Sequence, residues 1–174
     1  MNAERLARDV RLMILDVDGV LTDGGLYYDE SGCVMKRFNV QDGLGIKLGP
    51  KAGIEFAVIT GLESPAVKRR VTELGIGHYY YGHHRKVPAM REISEKTGIP
   101  FEHMAYVGDD WVDAAPMSMV GFPIAVPNAR PEILKLAAWT TRAMGGHGAV
   151  REALDFVLRA QGKLDVMWRE WLTA

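Results

Sequence analysis

The chain has 174 residues, of which 48% are hydrophobic, enough for one buried core and within the usual length of a single domain. Its 21 basic and 22 acidic side chains nearly cancel, so no strong overall charge draws it to nucleic acid or to an anionic membrane surface. We therefore expect a small molecule as the partner, and neither nucleic acid nor a membrane.

The start of the chain carries charges at short intervals. Glu4, Arg5, Arg8 and Asp9 leave no uninterrupted apolar stretch for a signal peptide or a membrane span. A lone cysteine, Cys33, cannot form an internal disulfide and is compatible with a reducing compartment. These features predict a cytoplasmic protein.

The first apolar run, residues 10–15, predicts a strand that is buried on both faces. A short helix at 3–9 precedes this strand. After a polar loop, two strand-like pieces separated by a glycine-containing turn predict a β-hairpin at about 24–39.

The rest of the chain alternates between strands and helices. Ser64 and Pro65 predict an N-cap followed by the first residue of a helix, and Gly75 predicts the end of that helix. Further strands are predicted at 55–59, 78–81, 104–108, 123–126 and 139–142. Further helices are predicted to begin near residues 42, 86, 111, 130 and 149. This alternation is typical of an α/β fold with a doubly wound, mostly parallel sheet covered by helices on both faces.

The C-terminal tail, at about 163–174, has apolar side chains at roughly helical spacing. It predicts a helix that packs on the core or docks on a neighbouring subunit, and the sequence leaves both open. Because the chain contains no long linker, low-complexity tract or internal repeat, we expect a single domain over 1–174.

Polar residues follow several of the predicted strands. Ligands of open α/β sheets bind at the carboxyl ends of the strands. The polar residues at these positions are Asp16, Asp18, Thr60, Gly61, Asp109, Asp110 and Asp113, with Lys86 at the start of a helix. Each has an ordinary structural explanation by itself, such as helix capping for Asp109 and Asp110. Their common placement at strand ends favours a catalytic site.

The four aspartates at 16, 18, 109 and 113 are suited to the hydrolysis of a phosphate monoester. A carboxylate can attack phosphorus and form an aspartyl-phosphate, with a magnesium ion bridging the nucleophile and a phosphoryl oxygen. Such a reaction depends on positioning and on cations, and these carboxylates offer the oxygen ligands that Mg²⁺ prefers.

The remaining polar residues can stabilise the phosphoryl group. Lys86 would neutralise charge on the nucleophile and on the transferring group. The Thr60 hydroxyl and the Gly61 backbone N–H would bind phosphoryl oxygens.

Four segments carry a family resemblance. DVDGVLTDGGLYYDESG, at 16–32, resembles the first motif of the haloacid dehalogenase superfamily, and VITG, HHRK and VGDDWVD resemble its second, third and fourth. Together with FNVQDGLGI and GGHGAVREALDFVLRAQGKLD, the chain is similar over about 12–165 to the capless 3-deoxy-D-manno-octulosonate 8-phosphate phosphatases and related sugar-acid phosphatases.

The resemblance implies roles for single residues. Asp16 is implied as the nucleophile, and Asp18 as the general acid for the leaving alcohol and later the base for water. Mg²⁺ is implied as the cofactor, held by Asp16, the Asp18 backbone carbonyl and Asp109, with support from Asp113 and Asp110. The resemblance also implies a role in lipopolysaccharide biosynthesis.

The hairpin is predicted to contribute to assembly. Too few residues separate Asp18 from Thr60, and Thr60 from Lys86, to hold a cap domain of ordinary size. The resembling family forms homotetramers in which this hairpin closes the neighbour's site. The hairpin carries an apolar face made of Leu26, Tyr27, Tyr28, Val34, Met35 and Phe38. The alternative is that this face packs on its own domain.

The second motif departs from the family pattern. The octulosonate phosphatases usually continue it with an arginine, whereas Leu62 and Glu63 follow Gly61 here. Relatives that act on nine-carbon sugar-acid 9-phosphates often have an acidic residue in this turn and a basic cluster on the next helix. The resemblance therefore implies an octulosonate 8-phosphate as the first candidate substrate, with a nine-carbon sugar-acid 9-phosphate as the alternative. The candidates for binding its carboxylate are Lys68, Arg69, Arg70 and Arg85.

An alternative from another functional class is a catalytically silent scaffold. In such a protein, the hairpin and the tail would serve assembly alone. A missing nucleophile or lysine would support it, but Asp16 and Lys86 are both present.

Overall fold

The computed structural model of the protein describes residues 3–32 and 34–173, so Cys33 and the interpretation given to it lie outside the described residues. Its main sheet has six strands in the order β5-β4-β1-β6-β7-β8, and every neighbouring pair is parallel. The six strands are β1 (Leu12–Leu15), β4 (Glu55–Ile59), β5 (His78–Tyr80), β6 (Met104–Gly108), β7 (Phe122–Ala125) and β8 (Trp139–Thr140). The predicted doubly wound parallel sheet is confirmed.

Eight helices accompany the sheet in the described part of the chain. They are α1 (Ala3–Arg8), α2 (Val40–Leu48), α3 (Pro65–Leu74), α4 (Val87–Thr97), α5 (Ala114–Met117), α6 (Pro131–Leu136), α7 (Ala149–Ala160) and α8 (Leu164–Leu172). On one face, α2 contacts α3 and α7, and α7 contacts α1. On the other, α5 contacts α4 and α6. The sheet therefore lies between two helical layers.

The central strands are apolar because helices cover both of their faces. All four residues of β1 and all five of β6 are buried. Leu15 pairs with Val58 of β4 and with Val107 of β6, so the residues that follow these strands share one edge of the sheet. The strand order reverses between β1 and β6, which places a ligand-binding crevice at this edge.

The helix predicted after Ser64 is confirmed, but the predicted capping interaction is wrong. The helix begins at Pro65 and ends before Gly75, which has the left-handed φ of 74°. Ser64 occupies the N-cap position, yet its side chain makes no capping hydrogen bond and its buried hydroxyl has no partner among the described residues. The start is set by the backbone instead, because the Ser64 carbonyl accepts from Lys68 N at 2.9 Å and proline suits the first helical position.

The helix predicted from residue 111 is shorter than expected. Trp111–Asp113 forms a single tight turn, and α5 then contains four residues. The Asp110 side chain accepts from Trp111 N at 2.7 Å and takes part in a reciprocal capping box with Asp113. The capping explanation is therefore confirmed for Asp110.

The predicted hairpin is present as two short antiparallel strands, β2 (Tyr27–Tyr28) and β3 (Val34–Met35). At its base, Thr22 and Phe38 form a further antiparallel bridge. Several of its apolar side chains are exposed, namely Leu26, Tyr27, Tyr28 and Met35. Across 3–32 and 34–173 no cap domain is inserted after either of the first two motifs, as predicted.

The tail forms α8, which contacts α7. Leu164 and Met167 pack against the core, whereas Trp168 and Trp171 are exposed. None of the helices that the structure describes has the length and apolar character that a membrane span requires. The assignment of the whole chain to one domain stays a prediction.

One carboxylate joins two helices of the first layer. Asp42, buried in the first turn of α2, accepts from Arg151 N at 2.8 Å and from Gly148 N at 3.3 Å at the start of α7. Gly148 is the N-cap of α7 and has no side chain with which to cap it. Asp42 therefore acts as the capping group from outside the helix.

Replacing Asp42 should test this link. We expect Asp42→Ala to lower the free energy of unfolding by about 1–2 kcal/mol, because helix donors lose their acceptor. Urea unfolding followed by circular dichroism measures the change. Asp155→Ala is the matched control, since it removes only a partly exposed i,i+4 pair with Arg151, worth about 0.5 kcal/mol. An equal loss in both variants would contradict the capping role.

Candidate active site

Three strand ends bring the predicted catalytic residues together. Asp16 follows β1, Thr60 follows β4 and Asp109 follows β6. The backbone N–H of Asp16 donates to the Val107 carbonyl at 3.1 Å, which extends the pairing of β1 with β6 into the site. Asp16 and Thr60 are both buried. The fold therefore places a carboxylate and a hydroxyl at the crevice.

Lys86 is a buried lysine at the start of α4, not a solvent-facing one. Its Nζ lies 2.7 Å from Asp16 Oδ1 and 2.7 Å from Asp113 Oδ1. Burial lowers the pKa of Lys86, but the two carboxylates outweigh burial and raise the pKa above its ordinary value. The ammonium therefore stays charged beside the proposed nucleophile.

Asp113 holds Lys86 and the turn after β6 in place by accepting four hydrogen bonds. Its Oδ1 accepts from Lys86 and from the Tyr106 hydroxyl, each at 2.7 Å. Its Oδ2 accepts from the backbone N–H groups of Asp109 at 3.0 Å and Asp110 at 3.3 Å. Asp113 was predicted as a metal ligand that supports the shell. Since both oxygens already accept two hydrogen bonds, the geometry favours support over direct coordination.

Asp109 completes a group of three carboxylates at the strand ends. Asp16, Asp109 and Asp113 each place an oxygen within 4.8 Å of the others. Asp109 Oδ1 is buried and has no hydrogen-bond partner among the described residues.

Burial, followed by the charges of Asp16 and Asp113, raises the pKa of Asp109 to about 8. Burial and Asp113 raise the pKa of Asp16 to about 7, against the lowering effect of Lys86. A divalent cation would stabilise these ionised carboxylates, so the donor set fits Mg²⁺.

Asp18 lies in a turn formed by Val17–Leu21 and contacts a residue that the sequence analysis missed. Its carboxylate forms an ion pair with Lys36 Nζ, from the chain that follows β3. The Lys36 side chain is 2% exposed, whereas that of Asp18 is 31% exposed. In the sequence, the one signal for this contact was the position of Lys36 among the apolar residues of the hairpin.

The turn packs closely against Asp109 because residue 19 is glycine. Gly19 has a φ of 89°, and a Cβ at this position would lie 2.0 Å from Asp109 Oδ2. Asn128, also missed, donates to the Gly19 carbonyl at 2.8 Å and accepts from Gly145 N at 2.8 Å. These contacts fix the position of the turn that carries Asp18.

The second motif forms the other wall of the site. Thr60 Oγ1 accepts from Leu62 N at 3.4 Å, which leaves the hydroxyl able to donate to a phosphoryl oxygen. His84 approaches Gly61 so closely that a Cβ on the glycine would lie 2.9 Å from His84 Nδ1. The structure therefore places this histidine against the predicted phosphate-binding glycine.

The predicted carboxylate-binding cations are not gathered at the acidic cluster. Arg69 pairs with Glu73 at 3.0 Å, and Arg70 donates to the Asn39 carbonyl at 3.4 Å. Their side chains are directed to α3 itself and to the start of α2. Lys68 and Arg85 are exposed. Substrate binding by these four residues stays a prediction.

Comparisons with known proteins agree with this geometry. A family model of haloacid dehalogenase-like hydrolases matches residues 79–154. The 3-deoxy-D-manno-octulosonate 8-phosphate phosphatase KdsC of Escherichia coli strain K12 is 47% identical over 159 residues, covering 91% of this chain and 85% of that relative. The chain belongs to the 3-deoxy-D-manno-octulosonate 8-phosphate phosphatase family.

Solved structures extend the comparison to ligands. The octulosonate phosphatase of Moraxella catarrhalis, solved with magnesium, phosphate and KDO, has a TM-score of 0.94 and 38% identity, covering 97% of both chains. The cobalt-bound phosphatase of Haemophilus influenzae has a TM-score of 0.89 and 40% identity, covering 92% of this chain and 94% of that one. The family therefore includes members that bind a divalent metal.

The raised pKa values predict a pH-dependent stability. The folded carboxyls of Asp16 and Asp109 titrate at about 7 and about 8 instead of at 3.8. Without a divalent metal, the folded state therefore binds more protons than the unfolded state, and stability should fall as the pH rises from about 4 to 8. Mg²⁺ should offset this loss at pH 8, by about 2.7 kcal/mol at a concentration of 100 times its Kd.

Thermal unfolding with and without Mg²⁺ at pH 5 and pH 8 measures this effect. The shift in Tm should be larger at pH 8, since the metal competes with protons at pH 5. Asp109→Asn is the control and should lose most of the metal-dependent shift at both pH values. Equal shifts at pH 5 and pH 8 in the unmodified protein would contradict the assignment.

Proposed function

We propose that this protein is a Mg²⁺-dependent phosphatase that hydrolyses 3-deoxy-D-manno-octulosonate 8-phosphate through an aspartyl-phosphate on Asp16. The observation that carries the proposal is the buried contact of Lys86 with both Asp16 and Asp113, beside Asp109, whose buried Oδ1 has no hydrogen-bond partner among the described residues. Membership of the phosphatase family supports the same reaction.

In the first half-reaction, an Asp16 carboxylate oxygen attacks phosphorus and the bond from phosphorus to the sugar oxygen breaks. Asp18 gives its proton to the departing oxygen, which leaves as the alcohol. Lys86, Thr60 and the Gly61 N–H stabilise the negative charge of the transferring group. When bound by Asp16, Asp109 and the Asp18 carbonyl, Mg²⁺ supplies further charge neutralisation.

In the second half-reaction, Asp18 is a carboxylate and takes a proton from the attacking water. The bond between phosphorus and Asp16 breaks, which restores the Asp16 carboxylate and releases inorganic phosphate. Asp18 ends this step protonated and ready for the next substrate. The scaffold alternative gains no support, because the nucleophile, the lysine and the acidic cluster lie together.

Space for the sugar exists next to Asp18. A groove of about 840 Å³ lies between the hairpin and the loop after β4. Its lining includes Leu26, Tyr28, Met35, Lys36, Leu62 and Glu63. Lys36 lines this groove and also contacts Asp18, so one side chain links the groove to the acid that protonates the leaving group. Leu62 and Glu63 therefore lie where they can contact the sugar.

Glu63 is the observation that favours a second substrate, a nine-carbon sugar-acid 9-phosphate. Glu63 matches the acidic residue that relatives acting on nine-carbon acids often have in this turn, and its carboxylate can accept hydrogen bonds from sugar hydroxyls. Lys68 and Arg85 are exposed and so are the available partners for the carboxylate, whereas Arg69 and Arg70 are already paired. We place the octulosonate 8-phosphate first because the named relatives act on it.

A substrate panel tests the proposed function. Phosphate release from the octulosonate 8-phosphate, a nine-carbon 9-phosphate and glucose 6-phosphate should be highest for the first and should stop when Mg²⁺ is chelated. Asp16→Asn should lower kcat by at least about 10³-fold while keeping the fold, because an amide cannot form the aspartyl-phosphate. Retained turnover in that variant, or full activity in chelator, would refute the mechanism.

We also propose that the protein is a homotetramer in which the hairpin closes a neighbour's site. In support, Tyr28 and Met35 of the hairpin are 62% and 56% exposed. A ribbon with two residues in each strand buries too little surface to be stable by itself. The cytoplasmic location stays a prediction.

Light scattering tests the proposed assembly. The unmodified protein should have the mass of a tetramer, and Tyr28→Glu should shift it to smaller species with lower kcat/KM, because a charge cannot be buried in an apolar interface. Trp168→Glu on α8 is the matched control and should leave the mass unchanged. Dissociation by Trp168→Glu but not by Tyr28→Glu would assign assembly to the tail instead.

A further inference from the structure

We propose that Lys36 is a positioning residue that holds the Asp18 carboxylate in place for its two proton transfers and so links the hairpin to catalysis. The proposal rests on the proposed function, in which Asp18 acts as acid and then as base. It assigns a role in the reaction to a residue outside the four sequence motifs.

Burial of the Lys36 side chain is the first supporting observation. A lysine ammonium removed from water is costly unless it is paired. The Lys36 side chain is 2% exposed, and its ammonium forms an ion pair with Asp18. Within 3–32 and 34–173, Asp18 is the one acidic group that forms a salt bridge with Lys36. The pair therefore determines where the ammonium lies.

Asp18 depends on this contact for its orientation. Over the described residues, Lys36 is the one group that donates a hydrogen bond to the Asp18 carboxylate. Asp113, in contrast, accepts from four donors, and Asp16 contacts the buried Lys86. Because the Asp18 side chain is about a third exposed, it could rotate toward solvent without Lys36. Proton transfer requires the acid to lie within hydrogen-bond reach of the sugar oxygen.

The base of the hairpin fixes Lys36 in turn. The bridge between Thr22 and Phe38 ties the chain after β3 to the loop that begins with Asp16. The neighbouring Arg37 donates to the Gly146 carbonyl at 3.2 Å. Lys36 and Arg37 are adjacent in the chain, but their side chains contact different groups. One cation therefore reaches the acid and the other reaches the loop that precedes α7.

The proposed reaction requires no change in the charge of the Lys36 ammonium. Lys36 donates a hydrogen bond throughout and gives up no proton. Asp18 loses its proton to the departing sugar oxygen and regains one from water. The expected consequence of losing Lys36 is that both half-reactions slow, while binding of the phosphate group is kept.

The experiment compares Lys36→Met, which keeps the length but removes the charge, with Lys36→Arg, which keeps the charge. Lys51→Met is the matched control, because Lys51 is exposed and precedes β4, at the opposite edge of the sheet from the site. We expect Lys36→Met to lower kcat for the octulosonate 8-phosphate by about 10- to 100-fold, a part of the usual contribution of general acid–base catalysis, with KM changed less than about threefold. Lys36→Arg keeps the positive charge, so its decrease in log kcat should be smaller than that of Lys36→Met by at least about a third.

Two further measurements separate positioning from a structural role. With p-nitrophenyl phosphate, slower hydrolysis of the aspartyl-phosphate in Lys36→Met should produce a burst of one p-nitrophenolate per active site. In the Asp18→Asn background, Lys36→Met should cost no more than about twofold, because the two residues act as one unit. If Lys36→Met does not fold, Lys36→Gln replaces it in the same measurements.

The outcomes are distinct. A protein that hydrolyses no phosphomonoester with Mg²⁺ refutes the proposed function itself. An active protein in which Lys36→Met behaves like Lys51→Met overturns the role of Lys36 alone. A rise in KM without a change in kcat, or full additivity with Asp18→Asn, would also overturn it, because Lys36 would then bind substrate or act independently of Asp18.

Discussion

The buried contact of Lys86 with Asp16 and Asp113 is the interaction on which the rest of the site depends. Each of these charges would be costly to bury by itself, and each lies where it does because the others are present. With Asp109 included, three carboxylates face one ammonium. Burial, followed by the excess negative charge, raises the pKa values of Asp16 and Asp109, and the same excess charge makes the cluster suited to a divalent cation. A bound divalent cation would therefore also favour the ionised form of Asp16 that the nucleophilic attack requires.

The parallel sheet determines which residues can join this cluster. The register that pairs Leu15 with Val107 brings Asp16 and Asp109 to one edge, although they are far apart in the chain. Beneath them, the buried Tyr106 directs its hydroxyl to Asp113. A phenylalanine there would leave the fully buried Asp113 with one donor fewer. The apolar core and the charged site therefore meet at a single side chain.

Much of the site could be predicted from the sequence, because its residues follow apolar strands directly. Asp16, Thr60 and Asp109 needed only the strand pattern and the rule that parallel strands share a carboxyl edge. Lys36 and Asn128 could not be found in this way. Their partners, Asp18 and Gly19, lie in a different segment, and such contacts depend on how a hairpin and a loop fold back in three dimensions. The side chain of Ser64 failed as a cap for a related reason, since a backbone hydrogen bond and Pro65 already define the start of α3.

In the proposed tetramer and mechanism, the hairpin would serve assembly and chemistry together. Two strands of two residues each cannot hold their own position in water, so the direction of the hairpin is set by contacts at its base. These contacts are the bridge of Thr22 with Phe38 and the pair of Lys36 with Asp18. The pair of Lys36 with Asp18 therefore helps to set the direction of the exposed face that carries Tyr28. In the proposed tetramer, a neighbouring subunit that displaces this face would also displace Lys36 and so change proton transfer without touching the substrate.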